Sequence, residues 1–211
     1  MIKIGLISDI HADVNGLQRA LECLDALPVH YILCAGDLVD KGTDGDAVIK
    51  ILGERQIPCV RGNHDHDALI HRRFLDENPD YLAVTSRHPL SEESYDFLDS
   101  LSSTFTLTID RTEICVAHGT PWRDIQYVFP TSQRHTFERI AAYTAAQIVI
   151  LGHTHLPMIA QVRRTTIINP GSVCGALSSG SQTCAVLTLP DQITHYDIRT
   201  GDALTINRIT L

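Results

Sequence analysis

Two kinds of apolar pattern alternate at the start of the chain. The run from Lys3 to Ser8 is apolar and contains β-branched residues, which is typical of a buried strand. The next apolar side chains recur at steps of three and four residues, at Leu17, Leu21, Leu24 and Leu27. This spacing predicts an amphipathic helix, with Asn15 as its N-cap and Pro28 as its end.

The same alternation continues through the next thirty residues. A second strand is predicted from Tyr31 to Ala35, a second helix from Ala47 to Arg55, and a short third strand from Ile57 to Val60. Two further helices are predicted over about residues 66–78 and 91–101. The first part of the chain is therefore expected to form a β-α-β-α-β unit followed by helices.

The second half of the chain is dominated by strand patterns. A hairpin is predicted around Asp110-Arg111, then a helix over residues 132–146 and an apolar strand from Ile148 to Leu151. The hairpin strands are Phe105 to Ile109 and Glu113 to Ala117, and the later strands are Met158 to Val162, Thr166 to Ile168, Cys184 to Leu189, Ile193 to Ile198, and Leu204 to Ile209. One sheet with all these strands would be very wide, so two sheets packed face to face with helices outside are expected.

Composition narrows the class of protein. The 211 residues, 44% hydrophobic and 20% charged, are expected to fold as a single domain over residues 1–211. The net charge of −8 argues against long nucleic acid as a partner. No apolar run is long enough to cross a membrane, and the start lacks a secretory pattern. The six cysteines show no C-x-x-C spacing, which indicates a reducing compartment, so a cytoplasmic location is expected.

Five short polar motifs each follow a predicted strand. They are Asp9-Ile10-His11, Gly36-Asp37, Gly62-Asn63-His64-Asp65, Ala117-His118-Gly119 and Gly152-His153-Thr154-His155. Because the carboxyl ends of strands in α/β sheets converge on the ligand crevice, the five motifs are expected to share one site. The first strand is not followed by G-x-G-x-x-G, which disfavours a dinucleotide-binding fold.

The motif chemistry predicts a metal centre. The spacing of two in Asp9-x-His11 and His153-x-His155 would place both side chains of each pair on one face of an extended backbone. Carboxylate and amide oxygens together with imidazoles, and without thiolates, suit Mn, Fe, Zn or Co. Seven ligands are too many for one such ion. Two divalent ions are therefore expected, with Asp37 as the carboxylate centrally available to bridge them.

The ordered set of motifs resembles that of the calcineurin-like metallophosphoesterases, whose pattern is D-x-H, G-D, G-N-H-[D/E], H and G-H-x-H. The resemblance implies an α/β fold, a four-layer α/β/β/α sandwich with two mixed β-sheets packed face to face. It also implies that one ion is held by Asp9, His11 and His155, that the other is held by Asn63, His118 and His153, and that Asp37 bridges the two. His64 would be the proton donor, with Asp65 as its orienting partner.

Two further segments point to different branches of that family. Asn169-Pro170-Gly171-Ser172-Val173 is similar to a segment of the small prokaryotic single-domain phosphodiesterases. The segment from Gly36 to Gly42 is similar to the GDxVDRG sequence of phosphoprotein phosphatases and dinucleoside tetraphosphatases, but Lys41 replaces the arginine. Since lysine cannot grip a phosphate bidentately, this replacement weakens the second similarity.

The expected reaction is hydrolysis of a small phosphodiester by a metal-bridging hydroxide, with His64 as general acid. One alternative is a phosphomonoesterase acting on a phosphoprotein or a dinucleoside polyphosphate at the same site. Another is a non-catalytic interaction scaffold, which the intact ligand set opposes. The sequence predicts no particular oligomeric state.

Substrate contacts are predicted for Asn63, Lys41, Trp122 and Arg123. The segment from Gly119 to Arg123, with Tyr127 and Phe129 after it, follows the His118 motif directly. Its aromatic side chains would either stack on a base or leaving group, or cover an edge of the core. The second alternative is favoured, because loop aromatics more often cover a core edge.

Overall fold

The computed structural model describes residues 1–78, 89–175 and 181–211, and within them eleven strands and five helices. The strands are β1 (Lys3–Ile7), β2 (Tyr31–Cys34), β3 (Thr104–Ile109), β4 (Thr112–Ala117), β5 (Ile148–Ile150), β6 (Met158–Val162), β7 (Thr165–Asn169), β8 (Thr183–Thr188), β9 (Gln192–Asp197), β10 (Ala203–Leu204) and β11 (Arg208–Thr210). The helices are α1 (Val14–Asp25), α2 (Gly45–Glu54), α3 (Asn63–Glu77), α4 (Glu92–Ser100) and α5 (Arg134–Tyr143).

The strands form two mixed sheets. The first has five strands in the order β10-β9-β8-β1-β2, and the second has six in the order β11-β6-β7-β5-β4-β3. In the first sheet β1 is parallel to β2 and antiparallel to β8. In the second sheet β5 is parallel to both β4 and β7, whereas β6 is antiparallel to β7. Two mixed sheets were expected from the sequence, and this prediction is confirmed.

Three buried apolar clusters hold the layers together. The middle cluster lies between the sheets and includes Ile4 and Leu6 of β1 with Ile150 of β5. Ile7 points the other way, into the cluster beneath α1, α2, α3 and α4. A third cluster packs α5, through Phe137, against the second sheet. Because β1 is covered on both faces, its apolar run is continuous rather than alternating. The four-layer α/β/β/α sandwich is therefore confirmed.

Two turn and cap positions show how local sequence sets the elements. The predicted hairpin turn at Asp110-Arg111 is confirmed, and both residues have positive φ, of 46° and 66°, as a two-residue turn between twisted strands requires. The predicted cap of α1 is wrong. Asp13, not Asn15, is the N-cap, and its side chain accepts a hydrogen bond from the Gly16 backbone N–H at 2.8 Å.

Two predicted strands differ in the structure. Residues 57–60 form only an isolated bridge between Cys59 and Cys34, because Pro58 has no backbone N–H with which to extend the ladder. Residues 204–209 form two short strands rather than one. β10 pairs with β9 in the first sheet and β11 with β6 in the second, so this segment crosses from one sheet to the other. A period-two pattern cannot specify which sheet a strand joins.

The parallel strand pairs place the polar motifs together. β1 and β2 run side by side in the first sheet, and β4 and β5 run side by side in the second. Four of the five motifs begin within two residues of the carboxyl ends of these strands, and the fifth begins one residue before α3. No helix among the described residues combines the length and the apolar character needed to cross a lipid bilayer.

Candidate metal centre

The backbone at the strand ends turns sharply rather than continuing as a strand. Five of the predicted ligands have left-handed backbone conformations, with φ between 51° and 68°, namely Asp9, His11, Asp37, His153 and His155. An extended backbone was predicted for Asp9-x-His11 and for His153-x-His155, and this prediction is therefore wrong. Such conformations cost on the order of 1–3 kcal/mol each for residues with a side chain, and they concentrate at functional sites.

Backbone hydrogen bonds between the two motifs of the first sheet hold these turns. The Asp9 N–H donates to the Gly36 carbonyl at 2.9 Å, and the His11 N–H donates to the Asp37 carbonyl at 2.9 Å. Gly62 packs so closely on Asp37 that a Cβ at residue 62 would collide with it. The loops therefore interlock, and the glycine of the G-N-H-D motif is needed for that close approach.

The turns gather six of the predicted ligands, together with His64, into three overlapping groups. In each group the donor atoms all lie within 4.8 Å of one another. The groups are Asp9 with His11 and His155, His11 with Asp37 and His64, and Asp37 with His118 and His153. Asp37 is grouped with His11 of one predicted ligand set and with His118 and His153 of the other. It therefore lies between the two sets of side chains, as a bridging ligand would.

The first set brings nitrogen and oxygen donors face to face. His155 Nε2 lies 3.2 Å from Asp9 Oδ1 and 3.0 Å from His11 Nε2. His11 Nε2 is also 3.7 Å from Asp37 Oδ2. Two imidazole nitrogens and two carboxylates that converge in this way match the donor set of a catalytic divalent ion.

The second set is arranged around His118. Its Nδ1 is 2.7 Å from the carbonyl of Ala35, so its Nε2 is turned toward the site, 3.1 Å from both Asn63 Oδ1 and Asp37 Oδ2. The Nε2 atom of His153 is buried and has no hydrogen-bond partner among the described residues. Since buried polar atoms are normally satisfied, this orphan nitrogen fits a metal ligand.

Burial and charge set the protonation of these histidines. Burial lowers the pKa of His11 and of His153 to about 4, against the attraction of the nearby carboxylates, so both imidazoles are neutral as ligands must be. Burial also acts on His118, but Asp37 outweighs it and raises the pKa of His118 to about 10, so an ion bound at this imidazole would have to displace a proton. Conversely, the pKa of Asp37 lies below its usual range, because His118 and His11 outweigh the effect of burial. The carboxylate at the centre is therefore ionised.

A second layer of hydrogen bonds fixes the ligand loops. The Asp9 carboxylate accepts from the Ser8 hydroxyl at 2.7 Å and from the His153 N–H at 3.1 Å. Buried Asn169 donates from Nδ2 to the Gly152 carbonyl at 2.6 Å and to Thr154 Oγ1 at 3.1 Å. It thus holds the loop on both sides of His153. No role at the site was predicted for Asn169, although its N-P-G-S-V segment is similar to one in the small prokaryotic phosphodiesterases.

His64 lies at the edge of the site with a different partner from the one predicted. Its Nδ1 is 2.8 Å from Asp40 Oδ2, and this contact raises the pKa of His64. The carboxylate of Asp65 instead accepts from the backbone N–H groups of Leu38 at 2.8 Å and Gly62 at 2.9 Å. The assignment of Asp65 as the orienting partner is therefore wrong.

The helical start of α3 explains the difference. Residues 63–65 were expected to precede the helix, but α3 begins at Asn63. Adjacent helical residues project about 100° apart around the axis, so His64 and Asp65 face different surroundings. Asp65 is buried beneath the loop after β2, and burial raises its pKa to about 7. It supports the fold of the site and does not contact the imidazole of His64 in the way predicted.

The predicted substrate contacts fall in different places. Lys41 Nζ lies 3.2 Å from His11 Nε2, and Asn63 is within the site. Trp122 packs under the Arg139 guanidinium at 4.2 Å and beside Tyr143 at 5.2 Å, both on α5. This placement corresponds to the core-edge alternative for Trp122.

Arg123 and Tyr127 lie in the same loop as Trp122. Arg123 closes a turn with Thr120 through its backbone, and its side chain is exposed. Tyr127 stacks directly on the imidazole of His153, with ring centroids 4.0 Å apart. The aromatic side chain at the site is therefore Tyr127 rather than Trp122.

Known proteins are similar to this chain in sequence and in fold. Phosphodiesterase MJ0936 of Methanocaldococcus jannaschii is 24% identical over 188 residues, which cover 88% of this chain and 92% of that protein. Phosphodiesterase YfcE of Escherichia coli K12 is 23% identical over 185 residues, which cover 82% of this chain and 80% of YfcE. The solved structure of protein PH1004 from Pyrococcus horikoshii has the same fold, with a TM-score of 0.74, 18% identity, and coverage of 99% of this chain and 88% of that one.

The family relationship rests on a match to almost the whole chain. The model of the calcineurin-like phosphoesterase superfamily domain matches residues 2–192. This range contains every predicted metal ligand, as well as His64 and Asp40. The chain therefore belongs to the calcineurin-like phosphoesterase superfamily and is a metal-dependent phosphoesterase.

Proposed function

We propose that the protein hydrolyses a small phosphodiester at a binuclear metal centre. The observation that carries this proposal is the convergence of six histidine and aspartate ligands from the loops of both sheets, with Asn63 of α3 beside them and Asp37 between the two sets. The names of MJ0936 and YfcE, both called phosphodiesterases, also support it. Residues 1–211 would act together as one metallophosphoesterase domain.

Each side chain has a role in holding the two ions. Asp9, His11 and His155 would bind one ion, Asn63, His118 and His153 the other, and Asp37 both. Mn, Fe, Zn and Co suit this mixture of oxygen and imidazole ligands. Two such ions supply Lewis acidity, which makes water a nucleophile near neutral pH and stabilises charge on the phosphoryl oxygens. Since only two of the ligands are anionic, the site remains positive and attracts phosphate within a protein of net charge −8.

His64 is the proposed general acid. Asp40 accepts a hydrogen bond from its Nδ1–H and stabilises the protonated ring, so the imidazole carries a proton that Nε2 can deliver to the leaving oxygen. The ring is 4.9 Å from that of His11, so it lies beside the metal ligands. Proton donation of this kind is worth about 10²- to 10⁴-fold in rate and matters most when the leaving group is poor.

Asn63 and Lys41 are the proposed contacts to the phosphoryl group. Asn63 Oδ1 faces His118 Nε2, which leaves the amide nitrogen to donate toward a phosphoryl oxygen. Lys41 brings a flexible positive charge to within 3.2 Å of His11 Nε2. Because lysine acts as a point charge, we expect it to attract the phosphate without fixing its orientation.

A reconstitution assay tests the proposal. The metal-free protein would be loaded separately with Mn, Fe, Zn, Co or Mg and given bis(4-nitrophenyl) phosphate and 4-nitrophenyl phosphate. We expect binding of two ions per chain and faster hydrolysis of the diester. Binding of two ions without hydrolysis of any ester in a wider panel would favour the non-catalytic scaffold. Failure to bind ions would refute the metal centre itself.

A phosphomonoesterase is the second candidate, and the position of Lys41 favours it. A monoester carries a terminal dianion, which gains more from an added cation than a diester monoanion does. If the monoester is the substrate, Lys41→Met should lower kcat/KM for 4-nitrophenyl phosphate more than for the diester. Lys50→Met is the matched control, since Lys50 lies on α2 and faces Glu54. A wild-type preference for the diester would exclude this candidate.

A further inference from the structure

An aromatic surface borders the metal centre on the side of His153. Tyr127 stacks on the imidazole of His153 with an interplanar angle of 27°, and Phe129 stacks on Tyr127 with ring centroids 5.4 Å apart and planes within 5°. Tyr127 is 56% exposed and Phe129 38% exposed, whereas Val128 between them is buried. We call Tyr127 and Phe129 the aromatic shelf.

The shelf has other exposed apolar residues near it along the chain. The described residues include nine exposed large apolar side chains, and four of them are Tyr127, Phe129, Ile125 of the same loop, and Leu156, which directly follows His155. Exposed apolar side chains are common singly, but their grouping beside a polar site indicates a ligand-binding surface.

The loop that carries the shelf is fixed in place. Trp122 anchors its start, because its indole N–H donates to Gln126 at 3.0 Å while its ring packs on α5. Ser132 Oγ accepts from the Phe129 N–H at 2.9 Å. The rings are therefore presented in a defined orientation, which lowers the entropy lost when a ligand stacks on them.

The shelf and the proposed proton donor contact different ligands of the centre. His64 is beside His11, in contact with Asp40, and lies among the first set of ligands. His153, beneath the shelf, belongs to the second set, with its ring 5.0 Å from that of His118. A phosphodiester whose leaving group faces His64 would therefore direct its other substituent toward Tyr127.

We propose that the aromatic shelf binds a planar aromatic group on the retained substituent of the phosphodiester, so that nucleotide esters are the preferred substrate class. This inference rests on the proposed function. Aromatic rings stack on nucleobases regardless of base identity, which gives selectivity for nucleotides without selectivity among bases. In the reaction, a bond forms between phosphorus and the water oxygen as the bond from phosphorus to the leaving oxygen breaks. The leaving group departs as an alcohol with the proton from His64, the water proton is lost to solvent, and the retained nucleoside is released as its monophosphate.

Two substrates with one leaving group test the proposal. Thymidine 5′-(4-nitrophenyl) phosphate and methyl 4-nitrophenyl phosphate both release 4-nitrophenolate, so the chemical step is closely matched. We expect the metal-loaded wild type to have the lower KM for the thymidine ester. Phe129→Leu should raise that KM by about 5- to 150-fold, the range typical of losing one stacked base. Tyr127→Leu should raise the KM of the thymidine ester relative to that of the methyl ester. Tyr127→Phe should keep the preference.

Controls separate stacking from damage to the site. Tyr127 touches a proposed metal ligand, so bound metal would be measured in every variant, and Phe129→Leu tests the shelf without removing that contact. Tyr31→Leu is the matched exposed-aromatic control, since Tyr31 begins β2 at the end away from Asp37. Saturation-transfer NMR on the thymine methyl of thymidine 5′-monophosphate gives a binding readout that does not depend on turnover.

The outcomes distinguish the two proposals. Loss of the thymidine preference in both leucine variants, with metal content retained in Phe129→Leu, would support the shelf. Equal KM values for the two esters in the wild type, or a preference unchanged by both leucine variants, would overturn it while leaving the proposed hydrolysis intact. Hydrolysis of neither ester by metal-loaded protein would contradict the proposed function instead.

Discussion

Replacing Asn169 with alanine should loosen the loop that carries two proposed metal ligands. The change removes the donor to the Gly152 carbonyl and the acceptor of the Gly171 N–H, which lies 2.8 Å from Asn169 Oδ1, and both glycines are buried. A buried polar group left unsatisfied costs about 1–3 kcal/mol, so the two together give about 2–6 kcal/mol. For a chain of this length a loss of ~4 kcal/mol lowers Tm by about 8–16 °C.

Urea unfolding of the metal-free protein in a chelating buffer measures this loss without any contribution from bound ions. Asn78→Ala is the matched control, because Asn78 also donates to a backbone carbonyl, that of Phe74 at 2.9 Å, but near the surface. It should cost less than about 1 kcal/mol. A free energy of unfolding for Asn169→Ala within ~1 kcal/mol of wild type would refute the argument from unsatisfied groups.

Four further outcomes follow from the site and its supports. Asp37→Ala should release at least one ion, and elemental analysis showing two ions retained would refute its bridging role. His64→Ala should keep both ions but lose about 10²- to 10⁴-fold in kcat on alkyl esters and much less on activated aryl esters, and equal losses on both would contradict general acid catalysis. Asp40→Asn should likewise lower kcat more on alkyl esters than on activated aryl esters. Asp65→Asn should lower the free energy of unfolding without this dependence on the leaving group. If instead Asp65→Asn shows the dependence and Asp40→Asn does not, Asp65 is the orienting residue. Burial lowers the pKa of His195 in the folded protein. As the pH falls below about 6.5, the imidazole is therefore protonated in the unfolded chain before it is protonated in the folded one. The stability of wild type relative to His195→Gln should therefore decline between about pH 7 and pH 5, and a constant difference across that range would show that His195 does not contribute.

The layers of the fold could be predicted because burial leaves a direct trace in the sequence. The continuous apolar run of β1 requires cover on both faces, and the three- and four-residue steps of Leu17 to Leu24 fit one buried helix face. The pattern could not specify which strands pair with one another. The alternating pattern of residues 204–209 fits a strand of either sheet. Which sheet each part joins is decided by contacts with residues distant in sequence.

At the candidate site, the residue types could be predicted from the sequence, but some of their contacts could not. The residue types and their positions after strands were enough to identify the motifs that converge. The partner of His64 could not be found in this way, because Asp65 is adjacent in sequence whereas Asp40 approaches from another loop. The stacking of Tyr127 on His153 likewise depends on where a loop anchored by Trp122 places its next residues.

The division of ligands between the two sheets has a mechanical consequence. Asp9 and Asp37 belong to loops of the first sheet, and His118 and His153 to loops of the second. Ions bound by both pairs of loops would link the two sheets at this end of the sandwich. Separation of the sheets there would require metal–ligand bonds to break. A chelator should therefore make that end the first part of the molecule to exchange its amide hydrogens.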